Sequence, residues 1–551
     1  MRDLRTALTE NVLLCDGGTG SLVQVMDLTV DGDFDGCENC TEVLNRTRPD
    51  VVKSIHRAYL EAGSDVVQTN SFGGSPLTLA EFDLQDEAPL LNRRAAELAR
   101  EVADEFAASD GRPRYVLGSI GPGTKLPSLG HMDYAPMEQA LKVQALALLQ
   151  GGVDGMLIET CQDPLQIKAA INGVKDALAE TGRDVPIMVQ VTVETTGTLL
   201  VGTDIAAAAT ILKAMDVTTM GLNCATGPAE MSEHLRWLTS NFDGPVSVQP
   251  NAGLPELVDG QTAYPLGPDE MADWLRRFVA EDGVNLIGGC CGTRPDHIRA
   301  LDNMLRDCAG EGRVRPVPAS RNSVDWVPSA ASLFQQVSLR QENAVLAIGE
   351  RCNANGSKKF RELQAAGEWD ACVAMGREQE REGSHAIDLC TAYVGRDEIA
   401  DMSAVLTGLR GALTTPVVID STELPVLEAA LQMYGGKAII NSFNFEDGEE
   451  PAAARLKLAK RYGAAIIGLT IDEEGMAKTA ADKLRITRRL YDFAVNQHGL
   501  DPADLMIDPL TFTICTGNED DRELGTATLD AIEQIAAEFP DIQIVLGLSN
   551  I

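Results

Sequence analysis

Three cysteines stand where short apolar runs give way to glycine: Cys224 in GLNC (221–224), and Cys290 with Cys291 in GGCCGT (288–293). Thiolates bind Zn²⁺ at ~2.3 Å and favour a tetrahedral shell, so three protein sulfurs leave one position for water or substrate. A centre with an open position is built for catalysis. Three thiolates give the ion a formal charge of −1, which makes it a weak Lewis acid for water but a good host for a fourth, soft sulfur. A free thiol has a pKa near ~8.5 and loses its proton on binding metal. The expected substrate is therefore itself a thiol, activated as a nucleophile. The alternative is a trio of small buried residues or a disulfide, since buried free cysteine is common.

A second set of polar residues ends apolar runs further along the chain: Asp388, Asp420, Asn441, Asp508 and Asn550. Carboxylates accept from amino and ring N–H groups, and Asn matches edges that mix donor and acceptor. Together they suit a fused heterocycle with an amino group and a ring N–H beside a carbonyl, as in a pterin. Other candidates carry less. Cys37 and Cys40 form a C-x-x-C without a second pair at zinc-finger spacing. Residues 118–125 nearly spell a phosphate loop, but Thr124 and Lys125 are in the wrong order and Pro122 removes an amide donor. None of the six His residues lies at metal-like spacing with another.

The elements that must position these residues recur along the chain. Runs at 12–18, 65–70, 115–122, 155–161, 187–194, 218–224, 246–253 and 285–292 are rich in Val, Ile and Leu and too short for helices, as strands buried on both faces tend to be. Helical periodicity lies between them, as in 136–152, which ends in paired glycines. Eight strands alternating with helices over some 300 residues predict a (β/α)8 barrel, whose site forms at the strand C-termini. GEGRVRPVPASRNS (310–323) breaks the pattern and reads as part of a linker. Seven further strands follow, at 345–353, 385–393, 416–422, 437–443, 464–472, 504–510 and 542–550. The expected fold class is thus α/β, two consecutive (β/α)8 TIM-type barrels over 1–310 and 341–551 joined by 311–340. The second is expected to be incomplete at its C-terminus, because a seven-stranded remainder leaves an open edge.

Composition agrees with such a chain. Its 551 residues are 44% hydrophobic and 23% charged, near the globular average. The net charge of −36 argues against nucleic acid or an anionic membrane as principal partner. The 12 Cys fall far below disulfide-scaffold density, and no stretch reaches ~18 uninterrupted apolar residues, so a cytoplasmic protein in a reducing compartment is expected.

DGGTG (16–20), ENCTEVLNRTRPD (38–50), TNSFGG (69–74), GLNC and GGCCGT resemble the homocysteine methyltransferase domain of cobalamin-dependent methionine synthases and betaine–homocysteine methyltransferases. The resemblance covers about 1–310 and implies that Cys224, Cys290 and Cys291 hold Zn²⁺ while Asp16 and Glu159 bind homocysteine. GERCNANGSKKF (349–360), PVVIDST (416–422), IINSF (439–443), IDPL (507–510) and LGLSN (546–550) resemble the methyltetrahydrofolate-binding domain of the same enzymes, similar in fold to dihydropteroate synthase. This implies that Asp420, Asn441 and Asp508, with Asn353, hold the pterin, and that Asn550 hydrogen-bonds the ring nitrogen bearing the methyl group. That nitrogen leaves poorly as an anion and needs such a bond in the transition state. One departure is HAIDLCTAY (385–393), where Cys390 and Thr391 replace the family's Asp-Val-Asn-like ending.

The resemblance implies one reaction, transfer of a methyl group from 5-methyltetrahydrofolate to homocysteine, giving methionine and tetrahydrofolate. Its carrier, cobalamin, is expected on a module C-terminal to Ile551 or on another chain, because no His here lies in a D-x-H-x-x-G context. Two other readings stand beside it: a methyltransferase using a direct donor such as betaine or a methylsulfonium, and a non-catalytic protein that binds folate and homocysteine.

Overall fold

A computed structural model describes residues 3–258, 261–321, 326–514 and 522–550. Apart from residues 213–215, the chain divides into two compact units between Trp326 and Val327. Each is a parallel α/β barrel sheet. Among the described residues no helix is long and apolar enough to cross a membrane.

In the first unit, strands β1 (Leu13–Leu14), β2 (Val66–Gln68), β3 (Tyr115–Ile120), β4 (Gly155–Cys161), β5 (Ile187–Val191), β6 (Thr219–Asn223), β7 (Val246–Gln249) and β8 (Leu286–Ile287) make one sheet. Its order is β1-β8-β7-β6-β5-β4-β3-β2, with every pairing parallel. Closure between β1 and β2 comes from the Asp65 backbone N–H donating to Leu14 O at 2.7 Å, and from the Asp65 carboxylate accepting from Leu14 N at 3.0 Å. The strand bases enclose Leu13, Val66, Leu117, Leu157, Met188 and Leu286. Leu4, Ala7 and Leu8 of the helix Leu4–Glu10 stopper this core. The expected helix at 136–152 is Tyr134–Gln150.

In the second unit, β9 (Ile348–Asn353), β10 (Ala386–Cys390), β11 (Val417–Asp420), β12 (Ile439–Phe443), β13 (Ala465–Leu469), β14 (Leu505–Asp508) and β15 (Gln543–Ile544) pair in sequential order. A hairpin, Ser329–Ala331 against Gln336–Ser338, closes the base. Ala330 and Leu339 pack there against Ala386, Val418, Ile439, Ala465 and Met506.

The stretch read as a linker is therefore packed chain. Arg315 is buried, with its guanidinium on Asp65 at 2.5 Å, Asp302 at 2.7 Å and Gly63 O at 2.7 Å. Arg321 donates to Phe242 O at 2.8 Å and Gly244 O at 2.6 Å. Proline and arginine interrupt helix and strand periodicity, which gives a segment the pattern of a linker whether or not its cations are buried.

Candidate functional site

The strand ends of the first unit surround a cavity of about 390 Å³ whose wall includes Glu159, Asn223, Cys224, Gln249, Cys290 and Cys291. Cys224 follows β6 in the left-handed region, at φ 59°, a conformation held only by its surroundings. The other two cysteines follow β8. The end of β7 lies between and holds both sides: Cys224 N donates to Gln249 O at 3.2 Å, Cys290 N to Pro250 O at 2.9 Å, and Cys291 N to Asn251 Oδ1 at 3.1 Å. Gly18 closes the approach from β1, where any Cβ would lie 2.7 Å from Cys290 O.

The three Sγ atoms lie within 4.8 Å of one another, with Cys224 and Cys291 at 3.9 Å. A tetrahedral edge at the usual Zn–S length is about 3.8 Å, so the donor set fits a zinc ion. The described cysteines are all free, so the disulfide alternative fails here. Hydrogen bonds from Cys224 and then Cys290 lower the Cys291 thiol, while Cys224 and Cys290 are pushed up, so one sulfur of the trio ionises ahead of the other two.

Glu159, at the end of β4, lines the cavity and accepts from Ser119 Oγ at 2.6 Å and Asn223 Nδ2 at 3.3 Å. Burial raises its carboxyl to about 7. Asp16 is likewise raised to about 7 by burial, but it lies behind the wall, its Oδ2 accepting from Gln68 N at 2.8 Å. Gln68 itself lines the cavity.

Sequence reasoning passed over Asn223 and Gln249. Asn223 ties β6 to β4, accepting from Thr160 N at 2.9 Å and donating to Thr160 Oγ1 at 2.9 Å. Gln249 accepts from Gln190 Nε2 at 2.9 Å. Both end strands already read correctly, so counting every polar strand terminus would have found them. Tyr264, also in the wall, follows a hairpin after β7 and carried no such signal.

The second unit holds a cavity of about 910 Å³. It runs from Glu350, Asn353, Asp388, Asp420, Asn441 and Asp508 down the seam between β9 and β15. Asn353 Nδ2 donates to Asp388 at 2.9 Å and Asp420 at 3.1 Å, so one amide clamps two carboxyls. Burial, then the charge of Asp420, raises Asp388 to about 7, and burial raises Asp420 to about 6. Asp508 accepts from Leu510 N at 2.7 Å, beside a buried Lys483 whose ammonium donates to the carbonyls of Pro509 and Leu510. Cys390 is buried and receives Asn355 Nδ2 at 3.6 Å, while Thr391 O accepts from Gln364. Both residues of the divergent strand end thus have partners within the chain. Asn550 does not join the group: it is exposed in the turn Leu548–Asn550, outside the cavity wall, its carbonyl accepting from Thr513 Oγ1 at 3.2 Å.

Residues 13–305 match the family described as homocysteine S-methyltransferase, and residues 349–551 match the pterin binding enzymes. The whole chain is 48% identical to the methionine synthases of Mycobacterium tuberculosis and Mycobacterium leprae, covering 45% of each, so it spans about half the length of these curated relatives. A metallated homocysteine methyltransferase MmuM from Escherichia coli is 22% identical, with a TM-score of 0.44 over 54% of this chain and 98% of that one. With a match spanning more than half of its length, the chain belongs to the homocysteine S-methyltransferase family, and a region that matches the pterin binding enzymes follows in its second barrel.

Proposed function

We propose that this chain supplies the two substrate barrels for methyl transfer from 5-methyltetrahydrofolate to homocysteine, with methionine and tetrahydrofolate as products. The observation that carries the reading is the convergence of Cys224, Cys290 and Cys291 at tetrahedral spacing on one cavity wall. The homocysteine domain is assigned a core of 1–310 and the folate domain a core of 341–551, each extended into 311–340 by the packed segments on either side of Trp326.

Cys224, Cys290 and Cys291 would hold the zinc. Bound there, zinc supplies a positive centre with one open position that keeps a fourth thiol ionised near neutral pH. Glu159 is assigned the ammonium of homocysteine: it faces the cavity, and an incoming cation would stabilise its charged form. Asp16 acts on the same substrate through Gln68, whose backbone it fixes. In the second barrel Asp388, Asp420, Asn441 and Asp508 are assigned the amino and N–H edge of the pterin, oriented by Asn353. Asn550 is assigned the methyl-bearing ring nitrogen, which requires the turn Leu548–Asn550 to move inward.

An amine donor and a thiolate acceptor held in different barrels need a carrier. We assign that role to cobalamin on a module outside this sequence, because the residues present include no D-x-H-x-x-G site. The greater length of the relatives supports the assignment. Free thiols and a donor set of thiolates suit a cytoplasmic setting.

The test supplies methylcobalamin and homocysteine to the purified chain, with and without a chelator. Methionine formed only when metal is present is expected. Equal formation after complete metal removal overturns the reading.

A further inference from the structure

In the run IDPL, Asp508 is followed by a proline, which has no N–H, so the first backbone donor after it is Leu510 N, and the Asp508 Oδ1 accepts from that amide at 2.7 Å. Leu510 stands in the left-handed region, at φ 64°, which a leucine adopts only when its surroundings hold it there. Two helices supply the hold. From Ala480–Tyr491 the Lys483 ammonium donates to the carbonyls of Pro509 and Leu510, the second at 3.2 Å, and lies 5.0 Å from the centre of the Phe512 ring. From Glu523–Glu538 the Thr528 hydroxyl donates to the same Leu510 carbonyl at 3.0 Å. The Asp508 carbonyl accepts from Thr470 N at 3.1 Å, so the turn is fixed at both ends.

A fully buried lysine is uncommon, because burial strips water from its charge. Burial lowers the Lys483 ammonium to about 8, which leaves it a cation at neutral pH. It grips the backbone of one turn, and that turn sets a carboxyl of the cavity wall. We propose that Lys483 is a positioning residue of the pterin site: by holding the carbonyls of Pro509 and Leu510 it fixes the amide that orients the Asp508 carboxylate. This rests on the pterin reading above. The Asn353 amide orients Asp388 and Asp420, and Lys483 does the same for Asp508 through two peptide groups. A carboxylate held in its binding direction beforehand spares the ligand the cost of ordering it.

The experiment titrates 5-methyltetrahydrofolate, by calorimetry, into the 551-residue chain, its Lys483→Met and Asp508→Asn variants and the double variant. Asp508→Asn should weaken binding roughly 10–100-fold, as loss of a charge-assisted contact does. Lys483→Met should cost roughly tenfold in the parent yet less than about twofold beside Asp508→Asn, since a residue that acts through Asp508 then has nothing left to act on. Thr528→Val removes one donor to the Leu510 carbonyl and should follow the same cycle with a loss of roughly fivefold, which decides the outcome if Lys483→Met does not fold. Equal losses in the two backgrounds overturn the inference, because the lysine would then support the barrel at large. Full affinity in both Lys483→Met and Thr528→Val overturns it as well. An Asp508→Asn variant that binds as the parent does overturns the assignment of Asp508 together with this inference. A parent chain that takes up no 5-methyltetrahydrofolate overturns the pterin reading with it, and leaves the zinc centre untouched.

Discussion

The first barrel gathers three sulfurs at one cavity wall, already spaced for a metal, whereas the second gathers carboxyls that repel one another across a single clamping amide. In the first, the ligand geometry exists before anything binds. In the second, Asp388 and Asp420 resist ionising until a ligand brings donors to them. A metal site is recognised by donor identity, which few residue types supply. A heterocycle site of the kind proposed for the second barrel would be recognised by complementarity, its polar groups spread over β9 to β14.

The sharpest way to break the comparison is Cys224→Ser. It should abolish stoichiometric zinc and lower methionine formation from methylcobalamin by well over about 100-fold, more than loss of a ligand's outer partner costs. Folate binding by the same protein, followed by calorimetry, should stay unchanged. Parallel loss of both would mean the two barrels are not independent sites.

Glu159→Gln comes next. Replacing a charge-assisted contact costs about 1.5–3 kcal/mol, so the KM for homocysteine should rise roughly 10–100-fold while zinc content holds. An unchanged KM would remove Glu159 from the substrate.

A smaller effect is expected from pH. Asp388 ionises near 3.8 in an unfolded chain and near 7 when folded, so its burial favours the fold at low pH and that advantage is lost as pH rises from about 4 to about 7. Asp388→Asn should therefore flatten the pH dependence of Tm for the second barrel over this interval, as calorimetric scans would show, and should weaken folate binding. A variant whose Tm still falls across the interval as the parent's does would assign the pH dependence to other groups.

The least change is expected from Asn550→Ala on pterin affinity, within about twofold, since an exposed side chain outside the cavity contributes little to ground-state binding. A tenfold loss in a folate titration would mean that the turn carries Asn550 onto the ring already in the ground state, rather than only in the transition state.

Much of the architecture was legible because buried parallel strands are apolar on both faces and end in polar residues. The run at 155–161 is strand Gly155–Cys161, and the one at 115–122 is Tyr115–Ile120. The cysteine trio was legible for the same reason, as all three occupy or follow strand ends. Asn353 was visible only as part of a motif, because its bond to two carboxyls joins three strands far apart in sequence. Tyr264 was hidden because contact with Gly292 depends on the path of a hairpin, which periodicity does not describe. Asn550 was read from its place after an apolar run, and the short turn that carries it outward has no apolar signature of its own.

Arg315 has a bearing on how this polypeptide can be divided. The guanidinium bridges Asp65, at the junction of β1 and β2, to Asp302 of the last helix, so the cylinder is fastened by a residue that follows its final βα unit. A fragment cut after Cys308 would keep every strand yet leave Asp65 and Asp302 without their shared cation, each held only by its other partner, Arg112 and Arg306. An isolated homocysteine domain should therefore be excised beyond Arg321, and a protease nick between 309 and 314 should loosen the cylinder far from the sulfurs before any ligand is touched.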